Sequence, residues 1–248
     1  MASILQMAEV AALIGDPTRA NILSALADGR ALTATELAFA AGVSAATVSE
    51  HLSKLTEGRL LTVRKQGRNR YFCLASVHVA DMLESILVVA ADGPARYRPP
   101  SRIDAAMREA RACYDHMAGR MAVAVAESLN ARHHVVFDGD GGEVTESGLG
   151  FFADFGIDVT SRLPRRRVFC RPCLDWSERR LHIAGVIGDA LCRRYLELGW
   201  IEKMRDSRAV TITDTGRAGF QSVFGVAVPA DEPAVTRQAS AGKAAAIR

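Results

Sequence analysis

The chain has 248 residues, of which 49% are hydrophobic and 24% charged, and its formal net charge is +3. This length predicts one or two domains, and the apolar content is sufficient for a buried core. No apolar run reaches transmembrane length and the first residues lack a signal-peptide pattern, so we expect a cytoplasmic protein with no membrane partner. Five cysteines, an odd number, favour thiols, metal ligation or redox sensing over a disulfide framework.

The first predicted helix, residues 3–14, has little polar surface and must therefore pack on a neighbour. A second helix follows directly. Asp16 is placed to cap it, and Pro17 stands at its first position, where the missing N–H costs nothing. Leu23 and Leu26 are expected to bury one side of this helix.

A helix, a sharp turn and a second helix are predicted from residue 33 to residue 57. Thr33 and Glu36 have the spacing of a capping box that opens the first of these helices, and Gly42 can end it in a left-handed conformation. Ser44 is suited to cap the second helix. Apolar residues at 48, 52 and 55 turn one face inward. The outer face carries small or polar residues suited to a base edge or a phosphate, namely Ser44, Ala45, Ala46, Ser49, Glu50, Ser53 and Lys54.

A basic hairpin is predicted to follow the second helix. From residue 59 to residue 70 the sequence has five basic residues and no acidic one. Such a hairpin suits the DNA phosphate backbone, where neutralised phosphates release counterions. The alternative is a solvated surface hairpin, but the position directly after a helix-turn-helix pattern favours DNA. The candidate backbone contacts are Arg64, Lys65, Arg68 and Arg70.

These motifs together resemble the ArsR-type winged-helix repressors of bacteria over about residues 1–91. The residues that carry the resemblance are Gly15-Asp16-Pro17-Thr18-Arg19, Glu36-Leu37-Ala38, Val43-Ser44, Val48-Ser49, His51-Leu52, Leu55, Arg64, Gly67-Arg68 and Tyr71. The resemblance implies a homodimer that binds double-stranded operator DNA and is released by an inducer, usually a metal ion.

A strongly apolar helix is predicted at residues 76–91. The resemblance implies that the first helix joins the dimer interface, and this second apolar helix is its expected partner across a two-fold axis; the alternative is an internal core helix. The candidate interface residues are Leu5, Val10, Leu83, Ile86 and Leu87. Asp92-Gly93-Pro94 then breaks the chain, and 96–100 has the composition of a linker. We therefore predict a DNA-binding and dimerisation domain at 1–93, a sensor domain at 101–226 and a disordered tail at 227–248.

The predicted C-terminal domain contains a repeated order of elements. A long helix at 101–132 precedes a hairpin at 133–145 and a short helix at 147–155. A helix at 181–198, capped by Ser177, precedes strands at 199–203 and 209–213 and a short helix from Asp214. Residues 144–152 align with 212–220, which indicates two half-copies, each like the latter half of a winged helix; coincidence of common turn residues is the alternative. The predicted fold class is mainly α with small β-hairpins, an N-terminal winged helix-turn-helix plus an α+β C-terminal domain.

The metal sites that the resemblance implies are not found in the N-terminal part. The positions that carry cysteine in arsenic-type members are Ala38 and Ala40 here. The zinc-type pattern leaves His78 and Glu84 without a second histidine. The helix at 44–57 has no cysteine, so the cadmium- and lead-type ligands are missing as well.

A second set of ligands occurs beyond residue 101. Cys113 and His116 are three residues apart on one predicted helix and can face one ligand. Together with Cys170 and Cys173 they form the predicted four-ligand set, suited to zinc, cadmium or lead. His182 and Cys192 cannot both join this set from one straight helix, because ten residues span about 15 Å.

Other functions stay open at this point. Cys170 and Cys173 are candidates for a thiol redox switch, since nearby arginines lower a thiolate pKa. The thiols are otherwise structural, around Trp176, in a domain that binds a small organic ligand. A more distant alternative is an enzyme with Cys170 as nucleophile and His116 or His182 as base; no phosphate loop or catalytic triad spacing supports it. An adaptor that uses the basic segment 162–180 is a further alternative. The leading hypothesis is a sequence-specific transcriptional repressor and not an enzyme.

Overall fold

The computed structural model describes residues 3–93, 102–138, 141–158, 168–205 and 207–228. Some predicted segments fall outside these residues: the linker at 96–100, the first part of the basic segment at 162–167 and the tail from 229 onward. No helix in the described ranges is long and apolar enough to cross a membrane.

The N-terminal part has the predicted order of elements. Its elements are α1 (Ile4–Ile14), α2 (Pro17–Ala25), β1 (Leu32–Thr33), α3 (Ala34–Ala41), α4 (Ala45–Glu57), β2 (Leu61–Gln66), β3 (Asn69–Leu74) and α5 (Val77–Asp92). Thr33 and Glu36 form the capping box of α3, Gly42 ends α3 with a φ of 67°, and Ser44 caps α4. The three strands form an antiparallel sheet in the order β1-β3-β2. The predicted helix-turn-helix and hairpin are thus confirmed.

The C-terminal part alternates hairpins and helices. Its elements are α6 (Arg102–Glu109), β4 (Arg111–Cys113), β5 (His116–Ala118), α7 (Arg120–Ala131), β6 (Val135–Asp138), β7 (Gly141–Val144), α8 (Glu146–Asp154), β8 (Arg171–Leu174), β9 (Leu181–Ala184), α9 (Gly185–Glu197), β10 (Ile201–Lys203), β11 (Val210–Ile212) and α10 (Asp214–Gly219), followed by a π-helical turn at Phe220–Phe224. The hairpins β6–β7 and β10–β11 and the short helices after them confirm the prediction. The chain is mainly helical with small antiparallel sheets, as expected.

The predicted long helix at 101–132 is wrong. The chain leaves α6 at Glu109, forms the hairpin β4–β5 and re-enters a helix at Arg120. Gly119 makes this possible, because its φ is 94° and a Cβ there would lie 2.9 Å from the Arg108 carbonyl oxygen. The buried residues Ala110, Met117 and Met121 are spaced seven and four residues apart, which imitates the helical period.

The predicted start of the helix at 181–198 is also wrong. Residues 181–184 form β9, which pairs with β8, and α9 begins at Gly185. Ser177 caps no helix. It lies in the loop between β8 and β9, where its backbone N–H donates to Asp175 Oδ1 at 2.9 Å.

The two halves of the C-terminal part repeat one local structure. Thr145 caps α8 by accepting the Gly148 N–H at 3.1 Å, and Thr213 caps α10 by accepting the Gly216 N–H at 2.9 Å. Each half has the order hairpin, helix, hairpin, helix. The halves share one hydrophobic core, and the aromatic rings that contact one another in it are those of Phe151, Phe152, Phe155, Tyr195, Trp200, Phe220 and Phe224.

Gly219 and Gly150 provide a matched test of this core. A Cβ at Gly219 would lie 2.1 Å from the indole of Trp200, whereas a Cβ at Gly150 has no atom within 4 Å. We expect Gly219→Ala to lower the free energy of unfolding by about 1–3 kcal/mol through overpacking. Gly150→Ala, on the exposed face of α8, should raise it by about 0.5–1 kcal/mol. Urea unfolding followed by tryptophan fluorescence measures both, and a neutral Gly219→Ala would contradict the packing described.

Candidate DNA-binding surface and a buried cysteine–histidine cluster

The outer face of α4 is available to a ligand. Val48, Leu52 and Leu55 are buried and fix α4 on the N-terminal core. All the residues predicted on the opposite face are exposed, namely Ser44, Ala45, Ala46, Ser49, Glu50, Ser53 and Lys54. Lys54 Nζ donates to Glu50 Oε1 at 2.6 Å, so its charge is partly balanced within the helix.

The hairpin β2–β3 concentrates positive charge beside α4. Its strand register places Lys65 opposite Arg70, and Gly67 turns the tip with a φ of 60°. Arg64, Lys65, Arg68 and Arg70 are all exposed. A helix with an exposed polar face next to an exposed basic hairpin can read a major groove and hold the backbone beside it.

The helices α1 and α5 carry unpartnered apolar surface. No residue of α1 is buried, and Leu5 is 75% exposed. On α5, Ile86 is 41% exposed, while Leu83 and Leu87 are half-buried. Val10 is half-buried against the N-terminal core. These two helices therefore offer an apolar surface for a second copy.

Two hairpins bring four ligand-type side chains together. Cys113 stands opposite His116 in β4–β5, and Cys173 stands opposite His182 in β8–β9. Directly opposite residues of an antiparallel pair project to the same face. One ligand atom from each of the four residues lies within 4.8 Å of all the others. All four side chains are at least 92% buried, since their exposed fractions are 3%, 2%, 8% and 0%.

The predicted ligand set is therefore corrected at one position. Three predicted residues belong to the cluster, whereas Cys170 lies in the hydrophobic core and forms an isolated bridge with Gly142. His182 takes the fourth place. The predicted helix at 181–198 keeps His182 and Cys192 from joining the set together, but residues 181–184 form β9. The signal that identifies His182 is a Cys–His pair on each of two hairpins.

The two imidazoles point their Nε2 atoms at one another, 3.1 Å apart. His116 Nδ1 lies 3.1 Å from Asp115 Oδ1, and His182 Nδ1 lies 3.8 Å from Asp175 Oδ2. Burial lowers the pKa of His182. Burial acts in the same direction on His116, but Cys113 and Asp115 outweigh it and raise the pKa of His116 to about 9.

The thiols of Cys113 and Cys170 are held in the protonated form. A hydrogen bond with Cys173 and burial raise the pKa of Cys113 to about 12, and burial raises the pKa of Cys170 to about 12. Buried thiols with raised pKa values are poor targets for oxidants and poor nucleophiles. A soft metal ion, which displaces thiol protons on binding, suits such a group.

A buried ionic network lies behind the cluster. Arg111 Nη2 is 2.9 Å from Asp175 Oδ2, and both side chains are fully buried. Burial acts to raise the pKa of Asp175, but Arg111 and the Gly119 amide outweigh it and lower the pKa to about 2. Arg111 Nη2 also lies 3.9 Å from Glu84 Oε2 on α5, and Arg208 Nη1 donates to Glu84 Oε1 at 3.0 Å.

The cluster also contacts the N-terminal part directly. Tyr114, between the ligands Cys113 and His116, donates its backbone N–H to the Ala27 carbonyl at 2.6 Å. A Cβ at Gly29 would lie 2.8 Å from the Tyr114 carbonyl oxygen, so this close approach requires glycine. The turn that joins two candidate ligands is therefore docked at the end of α2.

Comparisons with known proteins agree with the geometry of the N-terminal part. The helix-turn-helix domain family matches residues 14–64. Over 222 residues the chain is 40% identical to the uncharacterized HTH-type transcriptional regulator YdfF of Bacillus subtilis, covering 90% of this chain and 98% of that protein. Over 92 residues it is 34% identical to the HTH-type transcriptional regulator CmtR of Mycobacterium bovis, covering 36% of this chain and 77% of that protein.

A solved structure resembles the same part of the chain. It is the homodimeric winged helix-turn-helix DNA-binding domain of Mb0332 from Mycobacterium bovis, with 31% identity and a TM-score of 0.33, covering 35% of this chain and 80% of that one. The match to YdfF extends through the C-terminal part as well. On its identity with YdfF and CmtR and on its own winged helix-turn-helix, the chain belongs to the ArsR-type transcriptional regulators.

Proposed function

We propose that this regulator is a homodimeric repressor that binds operator DNA and is released by a metal ion sensed in its C-terminal part. The observation that carries the DNA-binding half of the proposal is the exposed polar face of α4 beside the exposed basic tip of β2–β3. Ser44, Ser49 and Glu50 read base edges in the major groove. Arg64, Lys65, Arg68 and Arg70 hold the phosphate backbone.

The dimer follows from the apolar surface of α1 and α5. A two-fold operator site requires two recognition helices in fixed relation, and a dimer supplies them. The apolar side chains that are exposed on the two helices, including Leu5 and Ile86, are covered when a second copy docks on them.

The chemistry of the C-terminal part supports a metal ion over the other inducers. Its clustered thiols and imidazoles are soft ligands, suited to zinc, cadmium or lead. Thiol oxidation is the second candidate, disfavoured by the burial of Cys113, Cys170 and Cys173. The cavity lined by Met117, Ile183 and Tyr195 has a volume of about 20 Å³, room for one water and too small for an organic ligand. A cavity of about 350 Å³ lies in the DNA-binding part, between α4 and the hairpin β2–β3. The contacts of Tyr114 with Ala27 and of Arg208 with Glu84 connect this part to the DNA-binding part.

Removing one positive charge from the hairpin β2–β3 tests the proposed DNA-binding surface. Arg68→Ala should weaken binding to operator and unrelated DNA alike. It should also reduce the slope of log affinity against log salt by about 0.9 for each lost phosphate contact. Fluorescence anisotropy across a salt series measures this. Lys203→Ala, an exposed cation on the hairpin β10–β11, is the matched control and should change nothing. If Arg68→Ala loses sequence specificity but keeps the wild-type slope, the hairpin β2–β3 does not contact phosphates as proposed.

A charge on α5 tests the dimer. Ile86→Glu should give monomers with little operator affinity, because a monomer makes only one half-site contact. Leu149→Glu on α8 places the same charge at a similarly exposed apolar residue, 38% against 41%, and should leave the dimer intact. Sedimentation equilibrium reports both. If the Ile86→Glu protein is still a dimer, the dimer interface lies elsewhere in the chain.

Adding metal or oxidant tests the inducer. Zinc or cadmium should lower the operator affinity of the wild type by a factor of about 5–150, the range of ordinary allosteric coupling. Cys173→Ser protein should not respond, whereas Cys170→Ser protein should respond like the wild type. Mild peroxide should have no effect on either. A response to peroxide that both cysteine variants lose would favour the redox switch instead.

A further inference from the structure

The cluster is assembled from equivalent positions of the two half-copies. His116 stands three residues before Gly119, which directly precedes α7, and His182 stands three residues before Gly185, the first residue of α9. Both glycines have positive φ, 94° and 81°. Each histidine faces a cysteine of its own hairpin, so each half contributes one thiol and one imidazole.

We propose that Cys113, His116, Cys173 and His182 form a closed tetrahedral site for a zinc-class ion that links the two half-copies, with Asp115 and Asp175 as outer carboxylates. That this ion releases operator DNA rests on the proposed function. That the four residues bind the ion rests only on the geometry of the cluster.

The distances fit this coordination. Two Zn–N bonds of about 2.0–2.1 Å at the tetrahedral angle place the nitrogens about 3.3–3.4 Å apart. The two Nε2 atoms are 3.1 Å apart. Two Zn–S bonds of about 2.3 Å place the sulfurs about 3.8 Å apart, and the most distant ligand atoms of the cluster are separated by at most 4.8 Å. The widest separation in the cluster therefore exceeds the tetrahedral sulfur–sulfur separation by about 1 Å at most.

The outer carboxylates fit the same interpretation. Metal-bound histidine commonly directs its other ring nitrogen at a carboxylate, which fixes the tautomer and the ring orientation. Asp115 lies against Nδ1 of His116 at 3.1 Å. Asp175 faces Nδ1 of His182 at 3.8 Å and is itself fixed by Arg111 and by the Gly119 amide at 2.6 Å. The hydrogen bond between His116 Nδ1 and Asp115 orients that imidazole with Nε2 toward the common centre. Asp175 faces His182 Nδ1 from beyond hydrogen-bond distance.

The donor set and its burial define the class of ion. Two thiolates and two imidazoles in a tetrahedral arrangement suit zinc and similar soft divalent ions; magnesium and calcium take oxygen ligands. Four protein ligands leave no open position, which is the arrangement of zinc sites that stabilise a fold. Because each half supplies two ligands, binding stabilises the association of the halves.

A competing arrangement holds the same residues together without an ion. A proton on one Nε2 donated to the other Nε2, together with a thiol–thiol hydrogen bond between Cys113 and Cys173, also satisfies the cluster. The test must therefore identify the atoms bound to the metal as well as the affinity for it.

X-ray absorption at the zinc edge of the full chain, loaded with one equivalent of zinc, distinguishes these arrangements. We expect one ion per chain by elemental analysis after dialysis and a shell of two nitrogens and two sulfurs. His182→Gln should lose one nitrogen, and Cys170→Ser should keep the wild-type shell. Failure to retain zinc, a shell with three or more sulfurs, or a shell dominated by oxygen overturns the proposal. The wild-type spectrum decides the question even if a variant does not fold.

The outer carboxylate has its own test. Asp115→Asn should lower zinc affinity by a factor of about 10–100 with the same absorption shell. Asp154→Asn, at the exposed end of α8, is the control and should not change affinity. An unchanged affinity in Asp115→Asn overturns the outer role of that residue. If the absorption spectrum shows two nitrogens and two sulfurs but zinc does not change operator affinity, the metal site is confirmed and release of DNA by the metal is refuted. The two proposals can therefore fail separately.

Discussion

The C-terminal part is built around two buried imidazoles whose Nε2 atoms lie 3.1 Å apart. Two lone pairs at this distance repel unless a proton or a metal ion lies between them. Both rings come from hairpins that enter the core at the start of a long helix, and each hairpin ends at a glycine with positive φ. A shared proton or metal ion at this point therefore joins the two halves of the C-terminal part.

The same point is connected to the DNA-binding part by two routes. One is the turn at Tyr114, which donates to Ala27 at the end of α2. The other runs from His182 through Asp175 and Arg111 to Glu84 of α5. Charges buried this deeply require their partners, because removing one partner of a buried pair typically costs about 3–5 kcal/mol. Contacts therefore run from the cluster to the end of α2, which supports the helix-turn-helix, and to α5, the expected dimer helix.

The N-terminal part was predictable because its signals are local. Caps at Thr33 and Ser44, a left-handed Gly42 and a basic hairpin each act within a few residues of the sequence. The hairpins β4–β5 and β8–β9 were missed because they have three or four residues per strand and carry polar groups that are stabilised only by distant partners. Arg111 is buried on account of Asp175, sixty-four positions away, and no local pattern indicates that pair. The fourth ligand, His182, is absent from the predicted set because a helix is predicted at 181–198, where β9 forms instead. Cys113 and His116 are predicted from their spacing of three residues, and Cys173 from its place in a Cys-x-x-Cys motif.

We propose that metal binding at the cysteine–histidine cluster also stabilises the DNA-binding part that contacts it. Hydrogen–deuterium exchange of the full chain, with and without one equivalent of zinc, tests it most directly. We predict slower exchange with zinc in the two ligand hairpins and also in residues 22–30, at the end of α2. Protection confined to the C-terminal part, with unchanged exchange at residues 22–30 and along α5, would contradict the account.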